Sequence, residues 1–399
     1  MGRRDQKEQR RAVTATDVRD RWRMGPEARL LILVSAVLIA FGLAVLYSAS
    51  AFVADHDHHA STYFLVKQLG GVGVGMITFA IAAKFDADKL RDWAWPIMWF
   101  TIITMTSVLV LPGSIAPTIH GSKRFLFGAS FQPSEFGKLA VVVWVSMLIV
   151  KKGESLRRLT KGLVPFLIVV GLLDVLAALE PDLSVAMLYT LLMALLLFAG
   201  GARMSHFIVL GAMCLPITLS KIEKWRYALS RLSAFLHPGS APDAVSYQLR
   251  QSLIAVGSGG LFGRGFGKGM QQAYFVPFPY SDFVASNVGE EWGFIGLAAL
   301  TLAFALYALL GFRIARRARS PFLQLVAVGL TFTTVLTAFL HIGVVIGLLP
   351  TTGLTLPFIS YGRSNLVLTM LFTGILVNIG SERERVIGSS ATDPLAVAA

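Results

Sequence analysis

The sequence predicts an all-α polytopic membrane protein, and its composition and hydropathy lead to that prediction. Hydrophobic residues make up 55% of the 399 residues and charged residues only 15%, whereas an average soluble chain carries about 25% charged residues. The mean hydropathy is +0.65. Too little polar surface is available to cover a soluble globule of this length, so most of the chain must face lipid.

The apolar runs predict about ten transmembrane helices, since a helix needs roughly 20 mostly apolar residues to cross the hydrocarbon core. We place the spans near 30–54, 63–83, 93–112, 134–150, 162–179, 183–200, 206–221, 286–312, 321–348 and 358–380. The transmembrane domain (30–380) then lies between a basic tail (1–29) and a second tail (381–399). The first run is too long and too far into the chain for a cleaved signal peptide.

The positions of Lys and Arg predict that both termini are cytoplasmic, because cytoplasmic loops carry an excess of these residues. Alternate loops are rich in them, whereas three of the intervening loops, 52–62, 180–182 and 349–357, contain none. The formal charge of +13 is therefore interpreted as a topology signal and not as a nucleic-acid-binding surface.

Two predicted outer loops nevertheless carry cations. They are the loop near 113–133 and the long loop 222–285 between helices 7 and 8. Long loops can translocate regardless of charge, but positive charge kept outside also suits an anionic ligand.

Ionisable side chains within or beside the spans gather in the predicted outer half of the membrane. They are Lys67, Glu135, Lys138, Asp174, Asp182, Glu290, Glu291 and Arg363. Such groups are costly in lipid and are functional candidates. Glu135 and Lys138 are three residues apart and share a helix face, either as an internal ion pair or to orient a ligand.

Residues 252–269 are rich in glycine and carry Arg264 and Lys268. Glycine-rich backbone can approach a phosphate and offer its N–H groups as an anion nest. A re-entrant or surface loop is the alternative interpretation.

Seven ordered blocks make the sequence recognisable. They are 121–125 (GSKRF), 131–138 (FQPSEFGK), 180–183 (EPDL), 231–238 (RLSAFLHP), 247–260 (YQLRQSLIAVGSGG), 282–294 (DFVASNVGEEWGF) and 349–362 (LPTTGLTLPFISYG). Together they resemble the SEDS family of bacterial cell-wall synthesis, which comprises the FtsW, RodA and SpoVE proteins. The resemblance covers nearly all of residues 30–380.

The resemblance implies a peptidoglycan glycosyltransferase in the bacterial cytoplasmic membrane that polymerises lipid II at the outer face and releases undecaprenyl diphosphate. It also implies that Asp282 is the catalytic base, since the family's aspartate in the long outer loop matches it. The candidate substrate-binding residues are Lys123, Arg124, Gln132, Glu135, Lys138, Asp182, Gln248, Gln251, Ser252, Arg264, Lys268, Ser360 and Tyr361.

No cofactor is firmly predicted. The developing diphosphate charge requires cations, backbone amides or a divalent ion such as Mg²⁺ or Mn²⁺. Glu290, Glu291 and Asp182 are the candidate ligands for such an ion. The implied partners are lipid II, the nascent glycan, the bilayer, a class B penicillin-binding protein that supplies the transpeptidase, and other division or elongation membrane proteins.

Departures from the family pattern include residues in three segments of the chain. Tyr280-Ser281 stands where the family often has His-Thr, and Phe125 replaces a usual Trp. Gly362-Arg363-Ser364-Asn365 stands in place of Gly-Gly-Ser-Ser, so Arg363 adds a large cation where the pattern has glycine.

The sequence leaves alternatives open. Residues 353–358 (GLTLPF) favour a role in septal wall synthesis during division, like FtsW, over an elongation role like RodA. A lipid II flippase would use the same outer cations, but it should show polar residues on both sides of the midplane or a pair of repeats. A non-catalytic scaffold for the penicillin-binding protein would not need Asp282.

Overall fold

The computed structural model describes residues 18–118, 122–128, 130–158, 162–203, 235, 243–271, 275–276 and 278–387. The α-helices named in this article are α1 (Pro26–His56), α2 (Tyr63–Lys84), α3 (Ala94–Val110), α4 (Pro133–Lys152), α5 (Val164–Leu179), α6 (Leu183–Ala199), α7 (Asp243–Gly259), α8 (Val284–Arg316), α9 (Pro321–Val345) and α10 (Arg363–Ile379). Short 3₁₀ turns cover Ala87–Arg91 and Gly153–Arg157, and strands β1 (Val18–Met24) and β2 (Ser381–Ile387) flank the helices.

The helices confirm an all-helical, multi-pass membrane protein. In the described part of the chain, every predicted span coincides with a helix to within a few residues, and the span predicted at 206–221 lies outside it. Five helical segments there are long and apolar enough to cross a membrane, namely α1, α2, α4 with the turn that follows it, α8 and α9. Four further apolar helices are shorter: α3, α5, α6 and α10.

Glycines let the helices approach closely, as is common where helices pack in lipid. A Cβ on Gly374 of α10 would lie 2.6 Å from the carbonyl oxygen of Phe79 in α2. A Cβ on Gly42 of α1 would lie 2.6 Å from the carbonyl oxygen of Phe358. These contacts hold α1, α2 and the segment before α10 together.

Helix α8 is interrupted near its start. Gly293 has φ 66° and ψ −160°, so α8 consists of two helical pieces separated by a kink. A Cβ on Gly293 would lie 2.4 Å from the amide nitrogen of Gly263, which makes glycine necessary at the break. The chain after α7 therefore packs directly into the kink.

The two tails meet in a two-stranded antiparallel sheet. β1 pairs with β2 from Val18 opposite Ile387 to Met24 opposite Ser381. The Gly25 amide continues the pairing by donating to the Gly380 carbonyl at 3.2 Å. The start of α1 and the end of α10 thus lie side by side, and their cytoplasmic placement stays a prediction.

Candidate active site

The predicted pairing of Glu135 with Lys138 is present at the start of α4. Their side chains lie 2.6 Å apart and are 7% and 4% exposed. Pro133 at the first turn of α4 fixes the entry of the helix, as proline commonly does. The pair places one buried charge of each sign at the predicted outer end of the bundle, and its role in ligand binding stays a prediction.

Arg124 holds the short loop between α5 and α6. Its Nε donates to the Glu180 carbonyl at 3.0 Å, and Nη2 donates to the Pro181 carbonyl. Its Nη1 lies 3.6 Å from Asp182 Oδ2. Asp182 in turn caps α6 by accepting from the Val185 amide at 3.4 Å. The predicted ligands Arg124 and Asp182 are therefore brought together as an ion pair.

Lys123 has a different set of contacts. Its ammonium donates to the Leu111 carbonyl and lies 3.5 Å from the Leu109 carbonyl. These are carbonyl groups at the C-terminal end of α3, where a cation is favoured by the helix dipole. Lys123 thus caps α3 in this structure, and its predicted contact with substrate would require it to leave those carbonyls.

Glu180 is a buried acid that the sequence analysis did not select. It is fully buried, and neither carboxyl oxygen has a hydrogen-bond partner among the described residues. Burial and then the Asp182 charge raise the pKa of Glu180 from 4.5 to about 8, while Arg124 opposes the rise. Burial also raises the pKa of Asp182, against the effect of Arg124. Glu180 therefore carries its proton at neutral pH.

The segment that carries Asp282 is attached to the segment before α10. The Tyr361 amide donates to the Tyr280 carbonyl at 2.8 Å. The Ser360 hydroxyl donates to the Ser281 carbonyl at 2.6 Å. Two of the predicted ligands, Ser360 and Tyr361, thus hold the backbone of the two residues before Asp282, which leaves the partly exposed Asp282 at a fixed position.

Gln68 of α2 stabilises this attachment and was missed by the sequence analysis. Its Nε2 donates to the Ser360 carbonyl at 3.1 Å, and its Oε1 accepts from the Gly362 amide at 3.3 Å. It is 1% exposed. The signal in the sequence is a polar residue within an apolar span. The neighbouring Lys67 was the candidate instead, because it is charged and Gln68 is not.

His341 of α9 was also missed. Its Nδ1 lies 2.7 Å from the Leu354 carbonyl, and its Nε2 accepts from the Ala285 amide at 3.5 Å. The imidazole therefore joins the start of α8, just after Asp282, to the loop 349–357.

Residues 352–353 contact both Asp282 and the first turn of α6. A Cβ on Gly353 would lie 3.7 Å from Asp282 Oδ2. The neighbouring Thr352 carbonyl accepts a hydrogen bond from Ser184, two residues after Asp182. This short segment thus links the predicted base to the helix that Asp182 caps, and Gly353 leaves space beside the Asp282 carboxylate.

The glycine-rich loop fills the break in α8. The amides of Arg264 and Gly265 donate to the carbonyls of Glu290 and Glu291, each at 3.0 Å. A Cβ on Gly263 would lie 2.1 Å from the Glu291 carbonyl oxygen. These amides satisfy helix carbonyls that the kink leaves free, so they are not available as the anion nest considered from the sequence.

The carboxylates of Glu290 and Glu291 are also engaged by the protein. Glu290 accepts from the amides of Met270 and Gln271 at 2.9 and 3.1 Å and lies 3.8 Å from Arg264. Glu291 accepts from Ser48. In the described residues no group of three or more His, Cys, Asp or Glu side chains could hold a metal ion. The residues predicted as Mg²⁺ or Mn²⁺ ligands do not fit a metal site.

The remaining predicted ligands lie on the loop before α4 and on α7 and the loop after it. The Gln132 amide donates to Ser364 Oγ at 3.0 Å, joining this loop to α10. Ser252 is buried and donates to the Val345 carbonyl at 2.9 Å. Gln248 and Gln251 are partly exposed, and Lys268 is exposed. Their roles in substrate binding stay predictions.

Comparisons with known proteins agree on one family. The FtsW, RodA and SpoVE family model, described as a cell cycle protein, matches residues 28–385. A probable peptidoglycan glycosyltransferase FtsW from Trichlorobacter lovleyi is 34% identical over 91% of this chain and 96% of the relative. Stage V sporulation protein E from Bacillus subtilis is 35% identical over 88% of this chain and 96% of the relative.

Solved structures show the same fold. A chain from a structure described as "Structural coordination of polymerization and crosslinking by a peptidoglycan synthase complex" has a TM-score of 0.74 and 24% identity, covering 88% of this chain and 96% of that one. The rod shape determining protein RodA from Thermus thermophilus has a TM-score of 0.64 and 23% identity, covering 88% and 95%.

Proposed function

The chain belongs to the FtsW, RodA and SpoVE family of cell cycle proteins, and from that premise we propose that it is a peptidoglycan glycosyltransferase. Its substrate is lipid II, which it polymerises into glycan strands at the outer face of the cytoplasmic membrane. Relatives named as probable peptidoglycan glycosyltransferases over nearly their whole length support the activity.

The position of Asp282 is the observation that carries the proposal. It is a partly exposed carboxylate, next to the space above Gly353, on a backbone that Ser360 and Tyr361 hold in place. A general base must be fixed within hydrogen-bond reach of the proton that it removes. Glu135, Asp182, Glu290 and Glu291 pair with cations, hydroxyls or amides of the protein, and we assign them no proton transfer.

In the proposed reaction Asp282 accepts one proton. A hydroxyl of the acceptor sugar attacks C1 of the donor sugar, and Asp282 takes the hydroxyl proton. The C1–oxygen bond to undecaprenyl diphosphate breaks, and the diphosphate leaves with the bonding electrons. Positive charge must stabilise that leaving group, and we assign this role to the partly exposed Arg124 and the buried Lys138.

The proposed setting is septal wall synthesis during cell division. Relatives named FtsW support the division role over elongation. A partner that crosslinks the strands, a class B penicillin-binding protein, completes the proposed assembly. The solved neighbour described as a synthase complex for polymerization and crosslinking supports such a partner.

The test is a lipid II polymerisation assay on the protein purified with its penicillin-binding partner, with transpeptidation blocked. We expect Asp282→Asn to reduce glycan formation by at least about a hundredfold, because the amide cannot accept the proton. Asp55→Asn, which alters an exposed acid at the end of α1, is the matched control and should polymerise normally.

Polymer from Asp282→Asn at the wild-type rate would remove Asp282 from the mechanism. If neither the wild type nor the control polymerised lipid II, the glycosyltransferase proposal would fail. Transport of lipid II between leaflets would then test the flippase alternative.

A further inference from the structure

Arg363, two residues after Tyr361, lies on a surface to which the proposed mechanism assigns no role. The guanidinium donates to Ser130 Oγ at 3.3 Å. The arginine stem packs on α2, where a Cβ on Gly71 would lie 3.3 Å from Arg363 Cγ. Gly71 therefore provides the flat surface that this long side chain needs.

Lys67 lies one helical turn from Gly71 on the same face of α2. Residues four apart on a helix are neighbours, and one turn rises about 5.4 Å. The Lys67 ammonium contacts the Tyr63 hydroxyl and lies 4.0 Å from the centre of that ring. Two cations from separate elements, α2 and the start of α10, therefore share one surface.

Tyr361 lies between these cations and the Asp282 segment. Lys67 and Arg363 are both within electrostatic reach of the Tyr361 phenol, which can donate a hydrogen bond through its O–H group. Its ring packs edge-on against Tyr280 at 5.7 Å, two residues before Asp282.

Lys67 is more accessible than the lysine near Arg124. Lys138 is 4% exposed and pairs with Glu135, whereas Lys67 is exposed. No ion pair of Lys67 with a carboxylate is present in the described residues. An anion from outside the protein can therefore reach Lys67 without separating an existing ion pair.

The apolar surface next to Lys67 suits a lipid tail. Val66 and Ile77 are 61% and 62% exposed on α2. Gly70 and Gly73 lie between them at helical spacing, and a Cβ on either would meet nothing within 4 Å. Since glycine has no side chain, this apolar strip of α2 has a shallow furrow at residues 70 and 73.

We propose that Lys67, Tyr361 and Arg363 form a second anion subsite, which binds the diphosphate of one polyprenyl-linked substrate beside Asp282. The proposal rests on the proposed function, because polymerisation must bring two lipid-linked sugars to one base. The two cations and the phenol bind the phosphate oxygens, and the furrow on α2 holds the start of the polyprenyl chain. Arg363 adds to this subsite a contact that glycine, the residue of the family pattern, cannot make.

The test measures binding of undecaprenyl diphosphate to the full chain in phosphatidylcholine nanodiscs. We expect the double variant Lys67→Gln/Arg363→Gln to bind at least about tenfold more weakly, since it loses two charge-assisted contacts. The exposed pair on the predicted cytoplasmic turn, Lys89→Gln/Arg91→Gln, removes the same charge and should bind like the wild type. Arg363→Lys should retain much of the affinity that Arg363→Gly loses.

Equal affinities of the two double variants would overturn the proposal. A second experiment adds phosphatidylglycerol to the nanodiscs. If that lipid displaces undecaprenyl diphosphate at similar concentrations, the subsite binds a bilayer headgroup, and the diphosphate assignment is overturned.

Asp282→Asn separates this proposal from the proposed function. Weakened binding in the Lys67/Arg363 variant supports the subsite even if Asp282→Asn still polymerises lipid II. If the Lys67/Arg363 variant binds like the wild type while Asp282→Asn loses polymerisation, the subsite proposal fails and the proposed function stands.

Discussion

Glu180 is the first residue of the block EPDL, which resembles the family pattern QPDL, so this chain has an acid where the pattern has an amide. Its pKa is raised to about 8 by burial and by Asp182. At neutral pH the neutral carboxyl therefore has the shape and charge of the glutamine that it replaces. A substitution that looks severe in the sequence is mild in the folded protein.

Glu180→Gln should stabilise the protein at alkaline pH. An unfolded glutamate loses its proton near 4.5, whereas folded Glu180 keeps it to about 8. The folded state thus binds more protons between these values, and wild-type stability falls as the pH rises through that window. Glutamine does not titrate. We therefore expect the melting temperature of Glu180→Gln to exceed that of the wild type at pH 9 by several degrees, as for a difference of a few kcal/mol in the free energy of unfolding.

Thermal unfolding in detergent at pH 5 and pH 9 measures this effect. The difference between Glu180→Gln and the wild type should be small at pH 5 and large at pH 9. Glu154→Gln, at an exposed acid in the turn after α4, should show no such divergence. A constant difference at both pH values would contradict the raised pKa.

The packing of α7 against α8 depends on glycine at one position. A Cβ on Gly259 would lie 2.0 Å from the Gly289 carbonyl oxygen and 3.0 Å from that of Glu290. These are backbone atoms of α8, which cannot move aside as a side chain can. Close contact between the end of α7 and the start of α8 therefore requires glycine at 259.

Gly259→Ala should separate α7 from α8 and destabilise the protein by about 1–3 kcal/mol, as overpacking does elsewhere. Polymerisation should fall as well, since α8 begins two residues after Asp282. Gly257→Ala is the matched control on the same helix, because its Cβ would meet nothing within 4 Å. Thermal unfolding of the two variants checks the prediction, and equal melting temperatures would contradict it.

Hydropathy predicts the elements that face lipid and fails for those that do not. The predicted spans at 63–83 and 183–200 match α2 and α6 almost to the residue, because lipid demands apolar residues along the whole length of a span. Helix α7 is more polar and is stabilised by packing on α8, so no apolar run in the sequence predicts it. The pairing of β1 with β2 joins residues over 350 positions apart, which no local pattern encodes.

At the scale of the whole molecule, the resemblance selected residues that the fold brings together, but it did not say what each one contacts. Arg124 and Asp182 form a pair, and Ser360 and Tyr361 hold the segment before Asp282. Those contacts depend on tertiary packing between loops that are distant in the chain. For the same reason Gln68 and His341, which join the loops from buried positions, could not be assigned from the sequence.

The proposed function requires this assembly to lie on the outer face, which makes a prediction about the whole molecule. If both termini are cytoplasmic, the loop between α1 and α2 lies outside and the turn after α4 lies inside. Ser61 and Glu154 are exposed at these two places. A cysteine at 61 should therefore react with a membrane-impermeant maleimide on intact spheroplasts, whereas a cysteine at 154 should react only after lysis.

Cys214 is the single native cysteine, so Cys214→Ser provides the unlabelled background for Ser61→Cys and Glu154→Cys. Lipid II polymerisation at the outer face requires that Asp282 share the side of residue 61, and the contact network supports this. Gln68 lies less than two helical turns after residue 63, where α2 begins, and it holds the segment that fixes Asp282. Labelling of residue 154 but not of residue 61 in intact spheroplasts would invert the topology and place Asp282 on the cytoplasmic side. Such a site could not extend glycan strands outside the membrane, so the proposed function would fall with the topology.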